Sequence, residues 1–222
     1  GCHELMGAEQ VKLILATGGP AMVKAAYSSG KPAIGVGAGN GPAYIHRSAD
    51  ISRALSDIAR SKTFDNGMIC ASEQAVIIDE DVYSYAVSLF KRFKAYFVTK
   101  EEKIKLSRYM FGKAVGDEDV ENARLQPALV GQSAYWIAKQ AGFEIPEDTS
   151  IICVPCKEVG PKEPISREKL SPVLAVFKVK DDKEGFQKAA EMVEFNGLGH
   201  SAAIHCKEQA MADAYGEKVK AM

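Results

Sequence analysis

Apolar and polar positions alternate in blocks that read as strands and helices in turn. Residues 11–16 (Val11, Leu13, Ile14, Leu15, Ala16) read as a strand, stopped by Thr17-Gly18-Gly19-Pro20. Pro20 suits the first turn of a helix through Met22, Val23, Ala25 and Ala26, which Ser28-Ser29-Gly30 ends. A short strand at 33–36 then runs into the glycine-rich loop 37–41. Strand, helix, strand is the unit of a parallel sheet. Asp50 is placed to cap a helix whose Ile51, Ala54, Leu55 and Ile58 share one face. Further strands are expected at 75–78, 150–154, 173–179 and 201–205. Helices are expected over 83–93, from Glu101, over 133–141, and from Asp181 to a stop at Asn196-Gly197, with a last one after 205. The alternation predicts an α/β fold. The stretch 157–164 is the most irregular.

Composition narrows the class. With 222 residues, 46% apolar and 26% charged, the chain can bury a sizeable core. A formal net charge of −1 gives no field favouring nucleic acid or an anionic membrane surface. No apolar run reaches the roughly 18 residues of a membrane span, and no signal peptide is visible. Five unevenly spaced cysteines (Cys2, Cys70, Cys153, Cys156, Cys206) do not form a secreted disulfide pattern, so reduced thiols and a cytoplasmic setting are expected.

The richest chemistry lies in Thr63-Phe64-Asp65-Asn66-Gly67-Met68-Ile69-Cys70-Ala71-Ser72-Glu73-Gln74. A cysteine after an Asn-Gly turn, with a helix start expected behind it, sits where thiol pKa is lowered, which makes Cys70 a candidate nucleophile. The plainer alternative is a buried cysteine acting as a small hydrophobe. His200, flanked by Gly199 and a helix end, is a candidate acid/base because imidazole titrates near neutrality; the alternative is a capping or surface histidine. Thr17-Gly18-Gly19 either admits a pyrophosphate to backbone amides or is simply a tight turn. Cys153-Val154-Pro155-Cys156 has CxxC spacing, but no second ligand pair accompanies it, so it is taken as structural and no metal is expected.

Phe64-x-Asn66-Gly67-x-x-Cys70 resembles the catalytic-cysteine signature of the aldehyde dehydrogenase superfamily. In the same order, Thr17-Gly18-Gly19 is similar to that family's turn beside the cofactor. Glu168-Lys169-Leu170-Ser171-Pro172 is similar to its nicotinamide-ribose segment. The wording of the chain is most similar to the aldehyde dehydrogenase half of bifunctional aldehyde–alcohol dehydrogenases, over nearly all its length. The resemblance implies a three-layer α/β fold, with residues 1–40 as the last part of a Rossmann-like NAD-binding domain. Residues 41–222 would then be a catalytic domain truncated at its C-terminus. It implies Cys70, His200 and Asn66 as catalytic residues. Thr17, Gly18, Gly19, Gly37, Glu168 and Leu170 would lie on NAD, with coenzyme A as co-substrate.

The hydrolytic members of that family carry a glutamate base where this chain has Val36, so water goes unactivated and a thioester on Cys70 would await the CoA thiol. The implied reaction interconverts acyl-CoA plus NADH with aldehyde, CoA and NAD, in a protein that is a homo-oligomer at full length. In that family one oxyanion donor is an asparagine upstream of these residues. The chain, which opens on Gly1, is therefore expected to be a piece of a longer protein. The alternatives are a hydrolytic or semialdehyde dehydrogenase of the same fold, and a catalytically silent scaffold piece.

Overall fold

The computed structural model describes residues 1–221. A short helix α1 (Cys2–Gly7) precedes β1 (Ile14–Thr17), α2 (Pro20–Tyr27) and β2 (Ala33–Val36). Strands β1 and β2 pair in parallel as a separate two-stranded sheet around Ile14, Ala16 and Ala26. Its outer face leaves Leu13, Leu15 and Ile34 exposed.

The rest of the chain builds one larger sheet. In order come β3 (Pro42–Ile45), α3 (Ile51–Thr63), β4 (Ala75–Asp79), α4 (Glu80–Arg92), β5 (Ala95–Phe97), α5 (Lys100–Phe111) and α6 (Ala134–Ala141). Then follow β6 (Ile151–Pro155), β7 (Val173–Val179), α7 (Asp182–Asn196), β8 (Ala203–His205) and α8 (Gln209–Lys218). The six strands lie in the order β5-β6-β7-β4-β3-β8, every pair parallel. Parallel strands are covered on both faces, so β4 reads Ala-Val-Ile-Ile-Asp with all five residues buried. Side chains alternate across the pleat. Val76 and Ile78 meet Leu55, Ile58 and Phe90 from α3 and α4. Ala75 and Ile77 belong to the opposite core with Leu106, Ile137 and Met192 from α5, α6 and α7. The result is three layers: helices, sheet, helices.

Helix starts follow the sequence closely. Asp50, Thr99, Ser133 and Asp181 each accept a hydrogen bond from a first-turn amide, and Thr99 with Glu102 forms a capping box. Two strands escape the sequence pattern. β3 opens on a proline directly after the glycine loop, and β5 has three residues, too few to show a period. The first strand also begins at Ile14, later than its apolar run suggests.

One buried polar network joins Tyr44, Asp79 and Arg47. Fully buried Tyr44 donates to Asp79 Oδ1 at 2.6 Å, and Asp79 Oδ2 accepts from Arg47 N and Nε, each at 2.9 Å. Burial, with the Asp79 hydrogen bond second, pushes the Tyr44 phenol well above its usual range. That fixed ring packs on Gly185 of α7, where an added Cβ would stand 2.6 Å from Tyr44 Cε2. Gly185→Ala gains about 1 kcal/mol of helix propensity and loses more to overpacking. The expected outcome is a net destabilisation of about 1–2 kcal/mol in urea unfolding; an unchanged midpoint would show that the Tyr44 ring can yield.

Candidate active site

Four loops lead into four neighbouring strands, β7, β4, β3 and β8. Because the strands are parallel, all four loops arrive at the same edge of the sheet. They carry Glu168, Cys70, Gly39 and His200 respectively.

Gly39 is where these loops meet. A Cβ there would stand 2.4 Å from the Cys70 carbonyl oxygen and 3.1 Å from both Cε1 and Nε2 of His200. Only glycine fits such an approach. The Gly39 amide donates to Glu168 Oε1 at 2.9 Å. Next to it, Asn40 is fully buried and donates from Nδ2 to the carbonyls of Ser166 (2.9 Å) and Met192 (3.1 Å), pinning the loop to the segment before β7 and to α7.

The Cys70 loop leaves α3 through a 3-10 turn at Phe64–Gly67. Asp65 and Asn66 are left-handed, with φ of 49° and 51°, a conformation that Asp and Asn tolerate better than most residues. Gly67 is also left-handed, and a Cβ there would lie 2.6 Å from the Ser171 carbonyl oxygen. The Asn66 amide donates to the Gly131 carbonyl at 2.9 Å, and Gly131 N donates to the Leu170 carbonyl at 3.1 Å. Asn66 thus ties the Cys70 loop to the Leu170 segment through Gly131. No helix follows Cys70: the chain turns, Ser72 N donating to the Ile69 carbonyl, and enters β4. The expected helix dipole is therefore not available to the thiol. The strand expected at 75–78 is present as β4; only the helix start between Cys70 and that strand is replaced by a turn.

His200 Nδ1 lies 2.6 Å from Ser201 Oγ, which leaves Nε2 as the ring nitrogen beside Gly39. Gly199 before it is left-handed, and His200 N donates to the Gly197 carbonyl. Burial raises the Glu168 carboxyl above its ordinary range, opposed by the Gly39 amide and by the charges of His200, Lys169 and Lys62.

Behind this edge lie two fully buried lysines that the sequence pattern does not reveal. Lys169 Nζ donates to the carbonyls of Ile165 (2.8 Å) and Arg167 (2.7 Å), and its backbone amide donates to Gln74 Oε1 at 3.0 Å. Burial draws its pKa down to about 7. Lys62 is lowered as well, by burial first and by Lys169 second. Gln74 in turn donates to the Ser72 carbonyl, so one glutamine joins the Cys70 loop to the Glu168 turn. Gln74 and Lys169 stand inside the two sequence motifs, yet nothing in a single sequence separates a buried amide or ammonium from a surface one.

The other candidate residues sit apart. Gly18 N donates to the Val36 carbonyl at 3.1 Å and Gly19 caps α2, so Thr17-Gly18-Gly19 adjoins the start of the glycine loop. Among the described residues these three make no hydrogen bond to Cys70, His200 or Glu168. Cys153 and Cys156 are buried in and after β6. Burial pushes the Cys153 thiol far up and the Cys156 thiol up to about 12, and no group of metal-ligating side chains occurs among the described residues. Partly exposed Cys70 differs from both. A thiol probe on the folded protein should label Cys2, Cys70 and Cys206 and spare Cys153 and Cys156 until denaturant is added, as read by peptide mass spectrometry. Labelling of Cys153 or Cys156 before Cys70 would contradict this arrangement.

The chain is similar to known proteins along nearly its whole length. The sequence profile of the aldehyde dehydrogenase family matches residues 2–108. Aldehyde-alcohol dehydrogenase 2 of Entamoeba histolytica is 56% identical over 219 residues, covering 99% of this chain and 25% of that protein. The crystal structure of an acetylating aldehyde dehydrogenase from Geobacillus thermoglucosidasius superposes with a TM-score of 0.89 at 44% identity, covering 99% of this chain and 46% of that one. A propionaldehyde dehydrogenase from Rhodopseudomonas palustris, solved with bound CoA and an acylated cysteine, superposes at 0.85 with 26% identity, covering 99% and 48%. The chain thus spans about a quarter of the length of the first of these relatives and about half of the two solved structures. In sequence along nearly its whole length, and in the path of its backbone, this chain belongs to the aldehyde dehydrogenase family.

Proposed function

We propose that these residues are the catalytic-cysteine part of a CoA-acylating aldehyde dehydrogenase, which interconverts acyl-CoA plus NADH with aldehyde, CoA and NAD. The observation behind this is the meeting of Cys70 and His200 across Gly39, in a loop entered from Val36, where a water-activating acid would stand. The solved relative with CoA and an acylated cysteine supports the same chemistry.

In the reductive direction, the Cys70 thiolate attacks the acyl-CoA carbonyl and forms a C–S bond, and the tetrahedral oxyanion collapses with loss of the CoA thiolate. His200 Nε2, the ring nitrogen beside Gly39, hands that leaving thiolate a proton and removes one when CoA returns. The bond between Nδ1 and Ser201 holds the imidazole in this orientation. Without a nearby base for water, the thioester survives long enough to be reduced or transferred.

Bound NAD would supply the hydride exchange with the carbon held on Cys70. Residues present here fit part of it. A Cβ at Gly19 or at Gly37 would meet nothing within 4 Å, so backbone there is open to a ligand. Glu168 keeps one carboxylate oxygen without a hydrogen bond among the described residues, suited to ribose hydroxyls, and Leu170 follows it on the same turn. Residues 1–40 would be the last part of the nucleotide-binding domain and residues from 41 onward the catalytic domain. The exposed apolar face of the β1–β2 pair, unusual for parallel strands, supports that division. No described helix is long and apolar enough to cross a membrane, and the five free cysteines suit a reducing, cytoplasmic setting.

The native polypeptide carrying these residues should oxidise NADH and release CoA thiol in equal amounts from acetyl-CoA. Cys70→Ala should abolish both signals, and His200→Ala should slow them by about 10²–10⁴-fold. Formation of free acid from aldehyde and NAD without CoA would overturn acyl transfer in favour of hydrolysis.

A further inference from the structure

Building on the acyl-transfer function above, we infer that Glu168 is a positioning residue for Cys70 and His200, acting through the Gly39 amide, besides its contact with cofactor. Its carboxylate reaches across 129 residues of sequence to accept the Gly39 N–H at 2.9 Å. Gly39 is the residue whose backbone lies against both the Cys70 carbonyl and the His200 imidazole. Holding Gly39 therefore fixes the spacing between nucleophile and acid/base. A loop of consecutive small residues (Gly37, Ala38, Gly39) has few side-chain contacts of its own to do this, and Asn40 anchors only its far end.

The carboxylate is itself firmly based. Lys169, fully buried, clamps the turn by donating to Ile165 and Arg167, and Gln74 ties that turn to the Cys70 loop. Glu168 thus stands between two duties. Ribose hydroxyls and the Gly39 amide draw on the same carboxylate, so cofactor occupancy and the Cys70–His200 spacing are linked through one side chain. Acyl exchange in the absence of nucleotide isolates the second duty. In that half-reaction Cys70 displaces CoA from acyl-CoA, the acyl group rests on sulfur, and a labelled CoA thiolate takes it back, with no oxidation or reduction.

The experiment measures incorporation of labelled CoA into acetyl-CoA by the native full-length protein without nucleotide, alongside the KM for NADH in the full reaction. Loss of one charge-assisted hydrogen bond sets the scale at about tenfold. Glu168→Ala should lower the exchange rate about tenfold or more and also raise the KM for NADH. Glu168→Gln retains an acceptor oxygen for Gly39, so exchange should recover to within about threefold of the parent while the KM stays raised. Exchange unaffected in Glu168→Ala would reduce Glu168 to a cofactor ligand and overturn the inference. Equal loss of exchange in Glu168→Gln and Glu168→Ala would also overturn it, because the Gly39 hydrogen bond would not be what matters. No exchange in the parent protein would instead sink the acyl-transfer function, a result visible before any variant is compared.

Discussion

Everything at the candidate site depends on the parallel register of four central strands. Pro42 pairs with Ala75, Ala75 with Ala175, and Ala43 with Ala203, so β7, β4, β3 and β8 begin level with one another. Parallel strands that begin level bring their incoming loops together. Glu168, Cys70, Gly39 and His200 each lie within five residues of the start of their strand. Open α/β sheets more often place ligands at the opposite, carboxyl ends of their strands. Here the candidate site lies at the entering ends, which leaves the buried apolar runs of the strands free to serve as scaffold alone.

Precision at that edge comes from absences of side chain as much as from their presence. Gly39 and Gly67 occupy places where a Cβ would strike a backbone carbonyl at 2.4 and 2.6 Å. The space they leave allows loops from distant parts of the chain to touch backbone to backbone. Polar fastenings then hold them: Asn40 to Ser166 and Met192, Asn66 to Gly131, and Gln74 to Ser72 and Lys169. Asn40 and Gln74 are buried, and a buried amide left unpaired costs about 1–3 kcal/mol, so their bonds specify one arrangement of loops over its neighbours.

The two kinds of cysteine show how burial sorts reactivity. Cys153 and Cys156 share a strand end with CxxC spacing, yet the sheet encloses them and desolvation keeps their thiols protonated. Cys70 stands on a turn between an exposed segment and a buried strand, partly open to solvent. Spacing alone would rank the pair above the single cysteine; enclosure reverses that order.

The sequence by itself determined the α/β alternation, the cap at Asp50, the helix starts near Ser133 and Asp181, the buried strands, and the family through three short motifs. These are local: periodicity, capping and turn chemistry act within a few residues and leave their mark in order along the chain. The strand after Pro42, the turn in place of a helix after Cys70, and the three-residue strand at Ala95 escaped because neighbours in the sheet, not local propensity, make them what they are. Only the tertiary structure decided that Gly39 touches Cys70 and His200, that Glu168 holds its amide, and that Lys62 and Lys169 are buried. Those facts depend on strand order, which rests on pairings such as Ala75 with Ala175 and Ala43 with Ala203 between residues far apart in the chain, and no local pattern records these.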